Sequence, residues 1–225
     1  MTTFFDLVRK DYSDVYAHAF MRGTYEQLPR CPKCKLAARK RVAPLIIEWD
    51  YGSNVVGDFT WPATLEEIVV SDIVKTCLVS ESFTGVRFEP VEMVQKRGLE
   101  KPRKESKART RVWLPYEGPP LWNLVVTSWC DMDLPHSSRS LVTECDGCNR
   151  TRMIVHDSTA ALVVKPESWE GKDFFFIREM GKLAFVSKRV RQAIEGEKFT
   201  NIQLKDRGYI AEPGDVSITT GFVPA

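Results

Sequence analysis

Along most of the chain, apolar residues come in short alternating or continuous runs bounded by turn residues. This pattern predicts strands at 42–50, 85–93, 111–116, 121–129, 152–156, 161–165, 173–178, 183–186 and 201–210. Residues 3–22 read differently. There Phe4, Leu7, Val8, Val15, Ala19 and Phe20 fall roughly on one helical face with charged residues between them, and a helix is expected. Strands outnumber helices, so the predicted fold class is α+β, with antiparallel or mixed sheets and a few short helices.

The pattern also repeats. Val70 to Phe88 aligns without a gap on Val186 to Leu204, an offset of 116, with six of nineteen positions identical. Substitutions within the match are conformationally matched. Gly85 faces Asn201, the two residue types that best tolerate a left-handed backbone, and Val86 and Phe88 face Ile202 and Leu204. Each copy reads as a serine N-cap, a short amphipathic helix, a tight Phe-Thr-Gly or Phe-Thr-Asn turn and an alternating strand. Phe59 against Phe175 extends the match upstream. Two related halves are therefore expected, at 30–111 and 112–225, preceded by an N-terminal helical segment at 1–29.

Four of the six cysteines fall in the same order within these halves, as Cys31-Pro32-Lys33-Cys34 and Cys145-Asp146-Gly147-Cys148. A CxxC turn aims two sulfurs at one point, and two such pairs complete a shell of four thiolates around a tetrahedral ion. With 110 residues between the pairs, the spacing alone does not close the site. Packing of duplicated halves about a pseudo-two-fold would. Cys31, Cys34, Cys145 and Cys148 are thus the candidate ligands of a shared structural Zn2+. Two other readings stand beside it: thioredoxin-like redox chemistry, for which a helix-compatible stretch follows Cys34 but no convincing strand leads in, and thiols that bind no metal. Cys77, whose repeat partner is Ala193, and Cys130 read as small packing residues.

Charge patterning changes the picture of partners. Residues 96–111 carry Lys96, Arg97, Lys101, Arg103, Lys104, Lys107, Arg109 and Arg111 against two glutamates, a local +6. Residues 30–41 carry another +6, and the chain total of +2 leaves −10 on the rest. The 96–111 stretch is the candidate partner-binding surface, for an acidic protein or for nucleic acid, although it lacks interleaved aromatics for base stacking. No apolar run is long enough to span a membrane, and no basic segment leads into a signal-like apolar stretch, so a cytoplasmic chain without a signal peptide is expected. None of the hydrolase, phosphate-loop or zinc-protease motifs occurs, the deaminase signature fails around Cys145, and His18, His136 and His156 are dispersed; the sequence predicts no enzyme.

The two CxxC pairs and the repeated serine-helix-turn-strand unit resemble the double-CxxCG-motif family of myxobacteria, across roughly residues 30–207. The glycine that follows each CxxC in that family is Lys35 and Asn149 here. The resemblance implies an immunity protein that binds and neutralises a cognate bacterial toxin domain, with the four paired cysteines as its metal site. A zinc-stabilised nucleic-acid-binding or regulatory protein is the alternative.

Overall fold

A computed structural model describes residues 1–10, 15–49, 55–62, 67–94, 116, 118–148 and 151–211. The first part of the chain forms β1 (Thr2–Val8), β2 (Ala19–Met21), β3 (Tyr25–Leu28), β4 (Ala38–Arg41), β5 (Ile46–Trp49), β6 (Phe59–Thr60) and β7 (Ile68–Ser71). Helix α1 (Asp72–Ser80), β8 (Val86–Pro90) and β9 (Glu92–Val94) follow. The second part contains β10 (Leu121–Val126), β11 (Trp129–Cys130), β12 (Arg139–Glu144), β13 (Thr151–Val155), β14 (Leu162–Val164) and the short α2 (Pro166–Trp169). It ends with β15 (Phe174–Ile177), β16 (Ala184–Ser187), α3 (Lys188–Gly196) and β17 (Gln203–Ile210). Strand exceeds helix three to one, 43% against 14%, which makes the fold α+β. No helix among the described residues is long and apolar enough to cross a membrane.

Both repeated units form as the pattern predicts. Ser71 and Ser187 cap α1 and α3, each hydroxyl accepting from the backbone N–H three residues on. The turns after the helices match bond for bond. Phe83 N–H donates to Leu78 O and Phe199 N–H to Ile194 O, both at 3.4 Å. Gly85 and Asn201 take φ of +78° and +59°. A Cβ at Gly85 would lie 2.1 Å from the Phe174 carbonyl, so glycine is required there. At Asn201 the relief sits on the facing segment that leads into β6, where Gly57 leaves room that a Cβ would fill at 2.7 Å from the Asn201 Cβ.

The expected helix over 3–22 is not formed. Thr2–Val8 is strand and Ala19–Met21 is another; residues 11–14 lie outside the described set. The reason is burial on both faces. Phe5 and Leu7 point into the core shared by the two halves, while Phe4 points into a second core with Phe175 and Phe185. A strand buried on both sides shows no alternation, and its apolar residues happen to fall at helical spacing.

β1 lies between β16 and β17, antiparallel to both. β10 occupies the same place between β7 and β8. Their registers correspond: Phe4 faces Ser187 as Leu121 faces Ser71, and Leu7 faces Leu204 as Leu124 faces Phe88. Lys75 sits over the Trp122 ring at 3.1 Å and Arg191, its equivalent, over Phe5 at 4.4 Å. Each half therefore begins with a strand that completes the other half's sheet. The N-terminal residues are not a separate segment but the centre of the second sheet.

The cores follow the same symmetry. A central cluster takes Val70, Val74 and Leu78 from one half and Val186, Val190 and Ile194 from the other. Peripheral clusters lie behind each sheet, one around Leu45, Ile47, Trp49 and Leu121, the other around Leu162, Val164, Phe4 and Phe185. Parallel pairs β5 with β9 and β14 with β17 complete them in corresponding register.

Candidate metal centre

Each half carries a two-stranded hairpin with a CxxC at its tip. β3 pairs with β4 and β12 with β13, and the cysteines occupy the turns between. In the first turn Cys31 N–H donates to Leu36 O at 3.0 Å and Lys35 N–H to Cys31 O at 2.9 Å. Lys35 takes a left-handed φ of +59°, a conformation that glycine adopts more readily. The helix-compatible stretch after Cys34 is a turn followed by strand β4, so the helix a thioredoxin-like site needs does not form there. In the second turn Cys148 N–H donates to Cys145 O at 3.1 Å.

The two knuckles face each other. The sulfurs of Cys31 and Cys145 are 3.7 Å apart and those of Cys34 and Cys148 3.5 Å apart. All four lie within 4.8 Å of one another, none is in a disulfide, and together they could hold one metal ion. Burial grades across the cluster, from buried Cys31 to exposed Cys148. Gly147 packs against the site, since a Cβ there would lie 3.1 Å from the Cys31 sulfur. Lys33 and Asp146 form an exposed ion pair from one knuckle to the other.

Backbone N–H groups of Cys34 and Lys33 point at the Cys31 sulfur, with the Cys34 and Cys145 side chains adding to them. Partial burial opposes this, and the net effect lowers the thiol from 9.0 to about 6. The arrangement favours thiolate, the form in which cysteine ligates metal.

The first hairpin is tied to its sheet by Tyr25, whose hydroxyl donates to the buried Glu67 carboxylate, which also accepts from Asn123 Nδ2 at 2.9 Å. Burial and Glu67 raise the Tyr25 phenol well above its usual range. Arg41 pairs with Glu89 at 2.8 Å. Of the basic residues at 30–41, Lys33 and Arg41 are thus held by carboxylates and Arg39 lies over the Tyr25 ring at 4.6 Å. The proposed partner surface, Lys96, Arg97, Lys101, Arg103, Lys104, Lys107, Arg109 and Arg111, lies outside the described residues, as do the expected strand residues 111–115 and Asn149.

No histidine joins the cluster. His136 is 2.8 Å from Asp133, His156 is 2.9 Å from the Ser140 hydroxyl, and His18 contacts Arg9. Cys130 is fully buried, as expected of a packing residue, whereas Cys77 is only partly so.

A reciprocal clasp holds the halves in register, and the ungapped repeat did not reveal it. Asp173 accepts from its own half's Ser187 hydroxyl at 2.8 Å and from the other half's Thr84, through N–H and hydroxyl, both at 3.1 Å. Asp58 does the same with Ser71 at 3.1 Å and with Thr200 at 2.9 and 2.7 Å. Phe59 N–H donates to Thr200 O and Phe174 N–H to Thr84 O. The upstream equivalence is therefore Phe59 with Phe174, one residue off the expected Phe175. The repeated Asp-Phe dipeptides at 58–59 and 173–174 were the available signal.

Fold and site together define a two-fold repeated, strand-exchanged α+β scaffold whose halves converge on a cluster of four cysteines that could hold a metal ion. Compared with known protein families and curated proteins, the chain matches no family model and no curated relative.

Proposed function

We propose that the chain is a non-catalytic cytoplasmic immunity protein that binds and neutralises a cognate bacterial toxin domain, its two halves joined by a structural zinc ion. The observation that carries the zinc assignment is the convergence of four thiol sulfurs, two from each half. Zinc bound to sulfur at about 2.3 Å in a tetrahedron sets sulfur–sulfur edges of about 3.8 Å, close to the 3.7 and 3.5 Å across the knuckles. Four protein ligands leave no open position for substrate or water, which suits structure rather than catalysis.

Toxin binding is supported by the resemblance in motif order and by the scaffold character of the site. The test pairs this chain with the product of the adjacent gene. That product is expected to be toxic alone, and the two are expected to form a stable complex that abolishes toxicity. A harmless neighbour, or one that does not bind, sinks the reading. Tight binding to nucleic acid that weakens about a thousandfold over a roughly fourfold rise in salt would replace it.

A further inference from the structure

The pseudo-two-fold exposes one place where the halves differ in chemistry but not in frame. In the second half Arg189, the second residue of α3, reaches the Asp173 carboxylate at 3.3 Å and the Glu81 carbonyl at 3.2 Å. Its guanidinium also lies 4.9 Å from the centre of the Phe83 ring. A carboxylate, a helix C-cap carbonyl and an aromatic face thus make an arginine receptacle.

Every part of it has an equivalent across the axis. Asp58 corresponds to Asp173, the Glu197 carbonyl to that of Glu81, and Phe199 to Phe83. The frames carrying these groups match. Glu81 N–H donates to Cys77 O at 3.1 Å and Glu197 N–H to Ala193 O at 3.0 Å. Phe83 meets Phe174, and Phe199 meets Phe59, edge to face with ring centres 6.4 Å apart in both halves. The residue equivalent to Arg189, however, is Ile73.

Exposure records the consequence. Asp173 and Phe83 are buried, whereas Asp58 and Phe199 are only partly covered. Ile73 itself is 66% exposed, an unusual position for isoleucine in the first turn of a helix. Asp58 makes no ion pair among the described residues, although its serine and threonine bonds are intact.

We infer that Asp58, the Glu197 carbonyl and the Phe199 ring form a second arginine receptacle, which takes an arginine side chain from a partner protein. The occupant is fixed by the internal template: the same three groups hold Arg189 in the other half. Exposed Ile73 supplies apolar surface beside the site for the methylene stem of the incoming side chain. The inference does not depend on the partner being a toxin.

The test uses the full chain, with backbone amide shifts followed by NMR as a capped Gly-Arg-Gly tripeptide is added. Shifts concentrated at Asp58, Phe199 and Thr200, absent with the isosteric but neutral Gly-citrulline-Gly peptide, are expected. Ile73→Arg should supply the side chain in cis. It is expected to raise the thermal midpoint by about 2–4 °C for a chain of this size and to abolish the peptide response. Asp58→Asn, which keeps a carbonyl oxygen for Thr200, should lose the response as well. Equal response to the citrulline peptide, shifts scattered over other acidic residues, or an undiminished response in Ile73→Arg would each overturn the assignment, as would a midpoint that Ile73→Arg leaves unchanged or lowers.

Discussion

The sheet built on β7, β10 and β8 and the sheet built on β16, β1 and β17 are the same object made twice, and their differences separate what the scaffold requires from what it tolerates. Strand order, the serine caps, the left-handed turn and the aspartate clasp are kept in both. What varies is how each local problem is solved. Close approach of the turn to its neighbour is relieved by Gly85 in one half and by Gly57, in the segment leading into β6, in the other. The clasp aspartate is buried under an arginine in one half and left partly open in the other. Among the described residues, β11 extends only the second sheet, through its parallel pairing with β15.

The largest effect is expected where the halves meet. Cys31→Ser or Cys145→Ser should release the metal, seen as loss of about one equivalent of zinc per chain by elemental analysis. Structural zinc contributes several kcal/mol or more to folding, so the thermal midpoint should fall by roughly 10 °C, at about 2–4 °C per kcal/mol for this size. A metal-free protein of equal stability would refute the zinc assignment.

Next come the clasp residues, which should lose their equivalence when removed. Asp173→Ala strips a buried acceptor from Ser187, Thr84 and Arg189 and is expected to cost about 3–4 kcal/mol. Asp58→Ala removes the same hydrogen bonds without an ion pair, at a partly exposed position, and should cost about 1–2 kcal/mol. Urea unfolding of both variants checks the order; equal losses would mean that Arg189 adds nothing to its half.

The two turns should respond in the same sense, neither by as much as Asp173→Ala. Gly85→Ala places a Cβ against the Phe174 carbonyl at positive φ and should cost about 2 kcal/mol. Asn201→Gly relieves the backbone but loses the 2.7 Å bond from Nδ2 to Phe59 O, for a net loss of about 1 kcal/mol or less.

The last effect is absent at neutral pH, appears only in alkali and has no counterpart among the described residues of the first sheet. Burial among apolar residues on β11 raises the Cys130 thiol from 9.0 to about 12. Above pH 9 the unfolded chain ionises this thiol while the folded chain keeps it protonated, so stability falls as pH rises from 9 towards 12. Cys130→Ala should lower stability at neutral pH through the cavity it leaves and should flatten the decline above pH 9. Parallel alkaline limbs for the two proteins would show that Cys130 stays accessible to hydroxide.

Much of this was legible from the residues because it depends on nearest neighbours in the chain. A serine before an amphipathic turn caps a helix wherever it stands, and a glycine or asparagine after Phe-Thr takes positive φ for reasons of its own Cβ. Short alternating or continuous apolar runs bounded by turn residues marked β5, β8, β13, β14 and β17. The pattern failed at β1, whose apolar residues face two cores, and at β3, β4 and β12 of the knuckle hairpins, which bury no continuous apolar face.

By itself, then, the sequence determined the repeated unit, the α+β class and the four residues able to ligate metal. Tertiary structure decided that β1 and β10 exchange sheets, that Asp58 and Asp173 reach across the axis, and that the four sulfurs converge. Those outcomes join residues far apart in the chain, 89 positions for Asp173 with Thr84 and 114 for the cysteine pairs, and no local preference encodes which of two equivalent sheets a strand should enter. Only the shared core settles it, because Phe5, Leu7, Leu124 and Val126 are buried together only when both strands have crossed.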